Sequence, residues 1–247
     1  MVLDETKRPA LDNVSLAVRR GEILGVAGVE GNGQGELIEA ILGLRSIEDG
    51  GQILLDGEEI STWSVRRRRE ARIGYVPEDR HRRGLLLDAP LWENAMLGHQ
   101  TMEPFARGPL LDRGRSREAT TRIVKDFDVR TPSIDTSARA LSGGNQQKLV
   151  IGREMAASPR LLIAAHPTRG IDVGAQAAVW EELRTARRNG LALLLVSADL
   201  EELLGLADRL VVMLRGRVVA ELDPGTTTPR QLGGYMTGAE DVTGDEE

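Results

Sequence analysis

The sequence predicts an α/β protein with a mostly parallel, covered sheet. Two observations carry this. Three apolar runs, at Ile23-Leu24-Gly25-Val26, at 161–165 and at 191–196, read as buried strands. Each leads into a segment with apolar residues at helical spacing, and strands alternating with helices build a parallel, layered sheet. At 247 residues, 40% of them hydrophobic, the chain can bury a sizeable core, as one large domain or a domain with an inserted subdomain.

Taken in order, Val14, Leu16 and Val18 alternate with polar residues and suggest a half-buried strand, followed by a turn at Arg20-Gly21. The run at 23–26 ends in Gly28-Val29-Glu30-Gly31-Asn32-Gly33-Gln34-Gly35. A helix follows, with Leu37, Ile38, Ile41 and Leu42 on one face and Gly43 near its end. Strand, glycine loop and helix is the P-loop arrangement. Asp56-Gly57 marks a hairpin after Ile53 and Leu55. Ile73, Tyr75 and Val76 read as a strand running into Pro77-Glu78-Asp79-Arg80. From about Gly84 to Ala140, loop signals at Pro90, Pro104, Gly108-Pro109 and Pro132 surround Ala119, Ile123 and Phe127 at helical spacing, predicting a mostly helical insertion. A second helix carries Val179, Trp180, Leu183 and Ala186 and stops at Asn189-Gly190. Leu200, Leu203 and Leu204 suit a short helix, and a hairpin turns at Arg215-Gly216. The tail from Thr237 ends in Gly244-Asp245-Glu246-Glu247, acidic and expected to fray.

Composition excludes several functions. There is no cysteine, so disulfides and thiolate metal sites are out, and His81, His99 and His166 leave little for a histidine metal site. A net charge of -6 disfavours a globally nucleic-acid-binding surface. The arginines at 66–72 and 80–83 read as a solvated face rather than a nucleic-acid patch. Trp92 and Trp180 read as packing residues. No apolar run approaches the roughly 20 residues of a membrane helix, and the N-terminus lacks a signal-peptide pattern. The expectation is a soluble, cytoplasmic protein that acts at a membrane only through a partner.

The chain is organised around Leu141-Ser142-Gly143-Gly144-Asn145, which opens directly into a helical pattern through Gln146-Gln147-Lys148, with Leu149, Val150 and Met155 as its apolar side. Ser142 is a good N-cap, and a helix start with two glycines presents free N–H groups and a positive dipole end to an anion. Alone, the pentapeptide reads first as an ordinary capped helix, and what lies before and after it changes the weighting. The glycine loop departs from G-x-x-x-x-G-K-[ST]: Gly28, Gly31 and Gly33 are present, but Gln34 takes the lysine position and Gly35 the Ser/Thr position. The backbone cradle remains; the cation for the β/γ-phosphates and the magnesium-holding hydroxyl do not.

This order of segments resembles the nucleotide-binding domains of ABC transporters, from about Ala10 to Gly238. The resemblance implies a P-loop NTPase fold: a RecA-like core at 1–83 and 151–238, an antiparallel β subdomain, a helical subdomain inserted at 84–150, and an acidic tail at 239–247. Residues Leu141, Ser142, Gly143, Gly144 and Asn145 correspond to the family's signature, which is intact. Glu78 stands at the Q-loop glutamine, Ala165 at the Walker B aspartate and His166 at the catalytic glutamate. Asp172, in Gly170-Ile171-Asp172, matches the D-loop, and Ala198 stands at the switch histidine. Neutral imidazole can accept a proton, but Ala165 and Gln34 remove the metal and charge that His166 would work with, so no residue is assigned as catalytic.

Loss at these positions spares the signature. The chain is similar to the second, degenerate ATPase half of tandem simple-sugar and nucleoside importers. The wording from Gly28 to Gln34, and of Pro77-Glu78-Asp79-Arg80-His81-Arg82-Arg83-Gly84, resembles the nucleoside branch. The resemblance implies ATP and Mg2+ held mainly at a site shared with a partner half, to which this chain would give its signature, with weak or no nucleotide binding by the chain alone. It implies negligible hydrolysis in isolation, and a cytoplasmic location at the inner face of the membrane. The implied partners are the other ATPase half, expected upstream in the same protein since Met1 lies so close to the first strand, transmembrane permease subunits contacted through about 78–98, and indirectly a solute-binding protein; no nucleic acid is expected. Two alternatives stand beside this: a soluble ABC-type protein acting on ribosome or nucleic acid, and a non-hydrolysing scaffold half.

Overall fold

A computed structural model describes residues 2–3, 9–48, 50–108 and 110–239. In chain order the strands are β1 (Val2–Leu3), β2 (Pro9–Leu11), β3 (Ile23–Ala27), β4 (Leu54–Leu55), β5 (Glu58–Glu59), β6 (Ile73–Val76), β7 (Ala106–Arg107), β8 (Leu110–Leu111), β9 (Leu161–Ala165), β10 (Ala192–Ser197), β11 (Arg209–Leu214) and β12 (Arg217–Leu222). The helices are α1 (Gln34–Leu42), α2 (Val65–Glu70), α3 (Leu91–Ala95), α4 (Arg113–Asp126), α5 (Gly143–Ala156), α6 (Val173–Arg188), α7 (Leu200–Leu206) and α8 (Pro229–Thr237). The chain divides into two compact units, 1–68 with 187–247, and 69–186.

In the first unit β3 is the spine. It pairs in parallel with β10 (Leu193 opposite Ile23) and with β11 (Leu24 opposite Arg209), and β11 pairs antiparallel with β12. Every residue of β3 and β10 is buried, which is why both read as continuous apolar runs rather than alternating ones. Gly25 lets α7 approach: a Cβ there would lie 2.5 Å from Leu210 Cδ2 and 3.1 Å from Leu203 Cδ2. The turn between β4 and β5 has positive φ at both Asp56 and Gly57, the geometry that a two-residue hairpin favours.

Two expectations in this unit are corrected. The segment around Val14, Leu16 and Val18 keeps its alternating burial but forms no ladder among the described residues. Alternation reports that one face is covered, and a covered face does not require a paired edge. Arg68, placed with its neighbours on a solvated face, is only 2% exposed. Its guanidinium donates to the carbonyls of Ala40 and Ile41 (both 2.7 Å), Ser61 (2.7 Å) and Trp63 (3.1 Å). It satisfies the orphan carbonyls at the end of α1, a role that a run of four arginines does not advertise. The helix α8 was not anticipated, although Thr228-Pro229-Arg230-Gln231 is a capping box with proline at the first helical position. The expected acidic tail lies, from residue 240 on, outside the described residues.

In the second unit β6 and β9 pair in parallel, Ile73 opposite Leu161 through Val76 opposite Ala164. The stretch expected to be helical holds α3 and α4, with a small β7–β8 hairpin between them. Leu91, at the start of α3, is fully buried. Asn94, also fully buried, ties the loop before it: its Oδ1 accepts from Leu86 N, and its Nδ2 donates to the carbonyls of Leu86, Ala89 and Pro90. Helix α5 carries Glu154, 1% exposed, whose carboxylate accepts from Arg69 (2.8 and 3.1 Å), Arg153 (3.0 Å) and Tyr75 N (3.2 Å). Arg69 is therefore an internal partner as well, not part of a solvated face. Among the described residues no helix is long and apolar enough to cross a membrane.

Candidate functional site

The glycine loop lies wholly in the first unit, between β3 and α1. Gly31 and Gly33 have φ of +90° and +104°, which L side chains rarely adopt. Asn32 pins the loop from both ends: its Nδ2 donates to Val29 O (3.0 Å), its Oδ1 accepts from Arg215 N (2.8 Å) and its carbonyl from Gly216 N (3.0 Å). The β11–β12 turn thus buttresses the loop. No side chain caps α1, so its first N–H groups remain directed at the loop.

What fills the loop is Gln34. Its side chain is 8% exposed, and its Nε2 donates to Val29 O at 3.2 Å. It lies so close to Gly28 that a Cβ there would be 2.1 Å from the amide nitrogen. The amide thus occupies part of the interior that a phosphate cradle needs open. Magnesium fits worse: Gly35 carries no oxygen side chain, and among the described residues no cluster of three His, Asp or Glu side chains could hold a metal. Ala198 follows β10, exposed; the next residue, Asp199, caps α7 by accepting from Glu201 N and Glu202 N.

The second unit holds the remaining sites. Ser142 is exposed and caps α5, its Oγ accepting from Asn145 N (3.4 Å) and Asn145 Nδ2 (2.9 Å). Asn145 Oδ1 in turn accepts from Arg130 N (2.8 Å). As the first residues of an α-helix, Gly143 and Gly144 have N–H groups with no intrahelical acceptor. Both glycines are also places of close approach. A Cβ on Gly143 would lie 2.9 Å from Arg80 Nη2 and 3.1 Å from Gly170 O; one on Gly144 would lie 2.8 Å from Ala175 Cβ. Leu141 is buried beneath the turn. Asp172 caps α6, its Oδ1 accepting from Ala175 N (2.9 Å).

Glu78 and His166 meet: His166 Nε2 is 4.0 Å and Arg169 Nη1 3.9 Å from Glu78 Oε2. Thus the Glu78 carboxylate faces the His166 imidazole, and Ala165, the residue before it, is 2% exposed. Arg80 is the site residue that sequence reasoning passed over, reading it only as part of a basic run. Its guanidinium reaches Arg169 O, Gly170 O and Gln146 Oε1. Burial lowers its pKa from the ordinary arginine value and neighbouring Asp79 partly offsets this, so it stays cationic.

The family profile described as ABC transporter matches residues 11–169. The chain is similar to the guanosine import ATP-binding protein NupO of Bacillus subtilis, 47% identical over 92% of this chain and 44% of that protein. It is similar to the glucose import ATP-binding protein TsgD13 of Haloferax volcanii, 41% identical over 97% of this chain and 44% of that protein. It therefore spans less than half the length of these relatives. A solved ATP-binding subunit of an ABC transporter superposes with a TM-score of 0.75 at 21% identity, covering 96% of each chain, a likeness of fold.

Proposed function

The chain belongs to the ABC transporter family, and from that premise we propose that it is the energy-coupling ATPase half of an importer for nucleosides or simple sugars. In this reading it supplies its signature to ATP held by a partner half, and its own glycine loop forms the degenerate site. The observation that carries the proposal is the start of α5. It is capped by an exposed serine, opened by two glycines and intact, while Gln34, Gly35, Ala165, His166 and Ala198 replace the groups that would handle phosphate, metal and proton.

The partner would bind ATP and Mg2+ and supply the groups that activate water. This chain would place the Ser142 hydroxyl and the Gly143 and Gly144 amides against the γ-phosphate, where the helix dipole stabilises developing charge. This chain's own loop would hold no metal ion, because Gly35 offers no hydroxyl to one. Asp172 would couple the two sites. The segment at about 78–98 would meet the permease, with Leu86, 50% exposed, available on its surface, and the protein would sit at the inner face of the membrane without entering it. We take 84–150 as the helical subdomain within one nucleotide-binding domain.

The purified chain alone should hydrolyse ATP negligibly and gain no activity with magnesium. A magnesium-dependent turnover on the order of 1 per second, in the ordinary range for phosphoryl transfer, would overturn the assignment of this half as degenerate.

A further inference from the structure

We propose that Arg80 is a positioning residue, joining the Glu78 loop, the start of α5 and the 169–172 turn so that a displacement of the loop reaches the residues facing the partner's ATP. The inference rests on the reading of α5 given above and extends it to how that site is set.

The geometry is a single planar fork serving two other segments. Nη1 donates to Arg169 O at 2.8 Å, Nη2 to Gly170 O at 3.1 Å and Nε to Gln146 Oε1 at 3.3 Å. The Gln146 end is fixed: the side chain is 5% exposed, and its Nε2 donates to Ala138 O at 3.0 Å. His81 Nε2 lies 2.8 Å from the same Oε1, so two consecutive residues grip one amide. The Arg80 backbone is set as firmly, because Asp79 Oδ1 accepts from His81 N (3.0 Å) and Arg82 N (3.1 Å). Gly143 is what lets the guanidinium reach Gly170 O, since a Cβ would crowd both. One side chain two residues after Glu78 therefore sets the distance between the signature and the Asp172 turn. An arginine does this where a lysine cannot: one ammonium is a point donor and does not span three separated acceptors.

The test uses the full-length protein assembled with its partner half and membrane subunits, carrying Arg80→Lys or Arg80→Ala. ATPase kcat, KM for ATP and solute imported per ATP are measured. Both variants should lose kcat by about tenfold or more, as misplacement of catalytic parts does, with KM for ATP within about twofold of wild type and fewer solute molecules imported per ATP. Arg80→Lys keeps the charge and stem, so it guards against a result that reflects only loss of fold. Recovery of kcat by lysine would mean that charge alone matters, and a rise in KM without loss of kcat would mean a phosphate contact; either overturns the inference, as does a wild-type Arg80→Ala. Ser142→Asp in the same assembly separates the two readings. If it is inactive while Arg80→Ala is normal, only the positioning role fails; if it transports normally, the reading of α5 fails as well.

Discussion

Ser142→Asp is the sharpest test of the proposed function because it leaves the helix start in place and changes only its charge. Aspartate caps helices about as well as serine, so the Oγ bonds to Asn145 N and Nδ2 have a ready replacement, and folding stability should stay within roughly 0.5 kcal/mol. Ser142 is exposed, so the larger side chain displaces no packed neighbour. Gly143→Asp would be a poorer choice, since its Cβ would fall 2.9 Å from Arg80 Nη2 and the loss could be purely steric. The charge is what a phosphate would meet. Two unit charges about 4 Å apart at an effective dielectric of about 20 repel by about 4 kcal/mol, which is about a thousandfold in rate. Between two enclosing halves, salt would screen that repulsion little. The assay is solute uptake and ATPase rate of the reconstituted transporter, beside the melting temperature of the chain. A folded Ser142→Asp protein with both rates within twofold of wild type would refute the claim that α5 receives the partner's ATP.

Restoring Gln34→Lys with Gly35→Ser should tighten ATP binding, because it adds a phosphate cation and a metal-holding hydroxyl where a Cβ at Gly35 meets nothing within 4 Å. Hydrolysis should stay negligible, since Ala165, His166 and Ala198 remain, and calorimetry showing unchanged affinity would mean that the loop is no phosphate cradle. Arg68→Ala should cost roughly 3 kcal/mol or more in urea titration by stranding the carbonyls of Ile41, Ser61 and Trp63 and leaving Ala40 O with Gly43 N alone, and a loss below about 1 kcal/mol would refute the capping role. Burial alone would raise the Glu154 pKa, but Arg153, His99 and Arg69 outweigh it and hold the carboxyl well below its ordinary value of 4.5. A depressed folded-state pKa stabilises above the unfolded value and loses that stabilisation as pH falls toward the folded one. Glu154→Gln should therefore destabilise at neutral pH, with the gap to wild type narrowing below about pH 4.5, and a gap independent of pH would contradict the ion-pair account.

What the sequence made legible was whatever repeats with a period or sits at a turn. The buried strands at β3, β9 and β10, the Ser142 cap and the Asp56-Gly57 and Arg215-Gly216 turns each follow from local chemistry, and each is present. Partner choice was not legible. Arg68 and Arg69 are indistinguishable in sequence from Arg66 and Arg67, yet one serves the end of α1 and the other Glu154, through contacts 27 and 85 residues away. The alternation at Val14, Leu16 and Val18 foretold a covered face but not whether an edge would be paired. At the site, the departure of Gln34 and Gly35 from the G-x-x-x-x-G-K-[ST] spacing is visible in the sequence itself. The Gln34 amide folding back into its own loop, and Arg80 reaching across to Gly170, depend on side-chain direction, which motif spacing does not encode.

The self-filled loop has a thermodynamic corollary. A site held open for its ligand gains stability from that ligand, and its melting temperature climbs with ligand concentration. Here Gln34 already bonds Val29 O, and Asn32 already anchors the turn to Arg215 and Gly216, so the chain's own groups hold the loop in its contour. In the assembly proposed above, added nucleotide would therefore raise the melting temperature of this chain little.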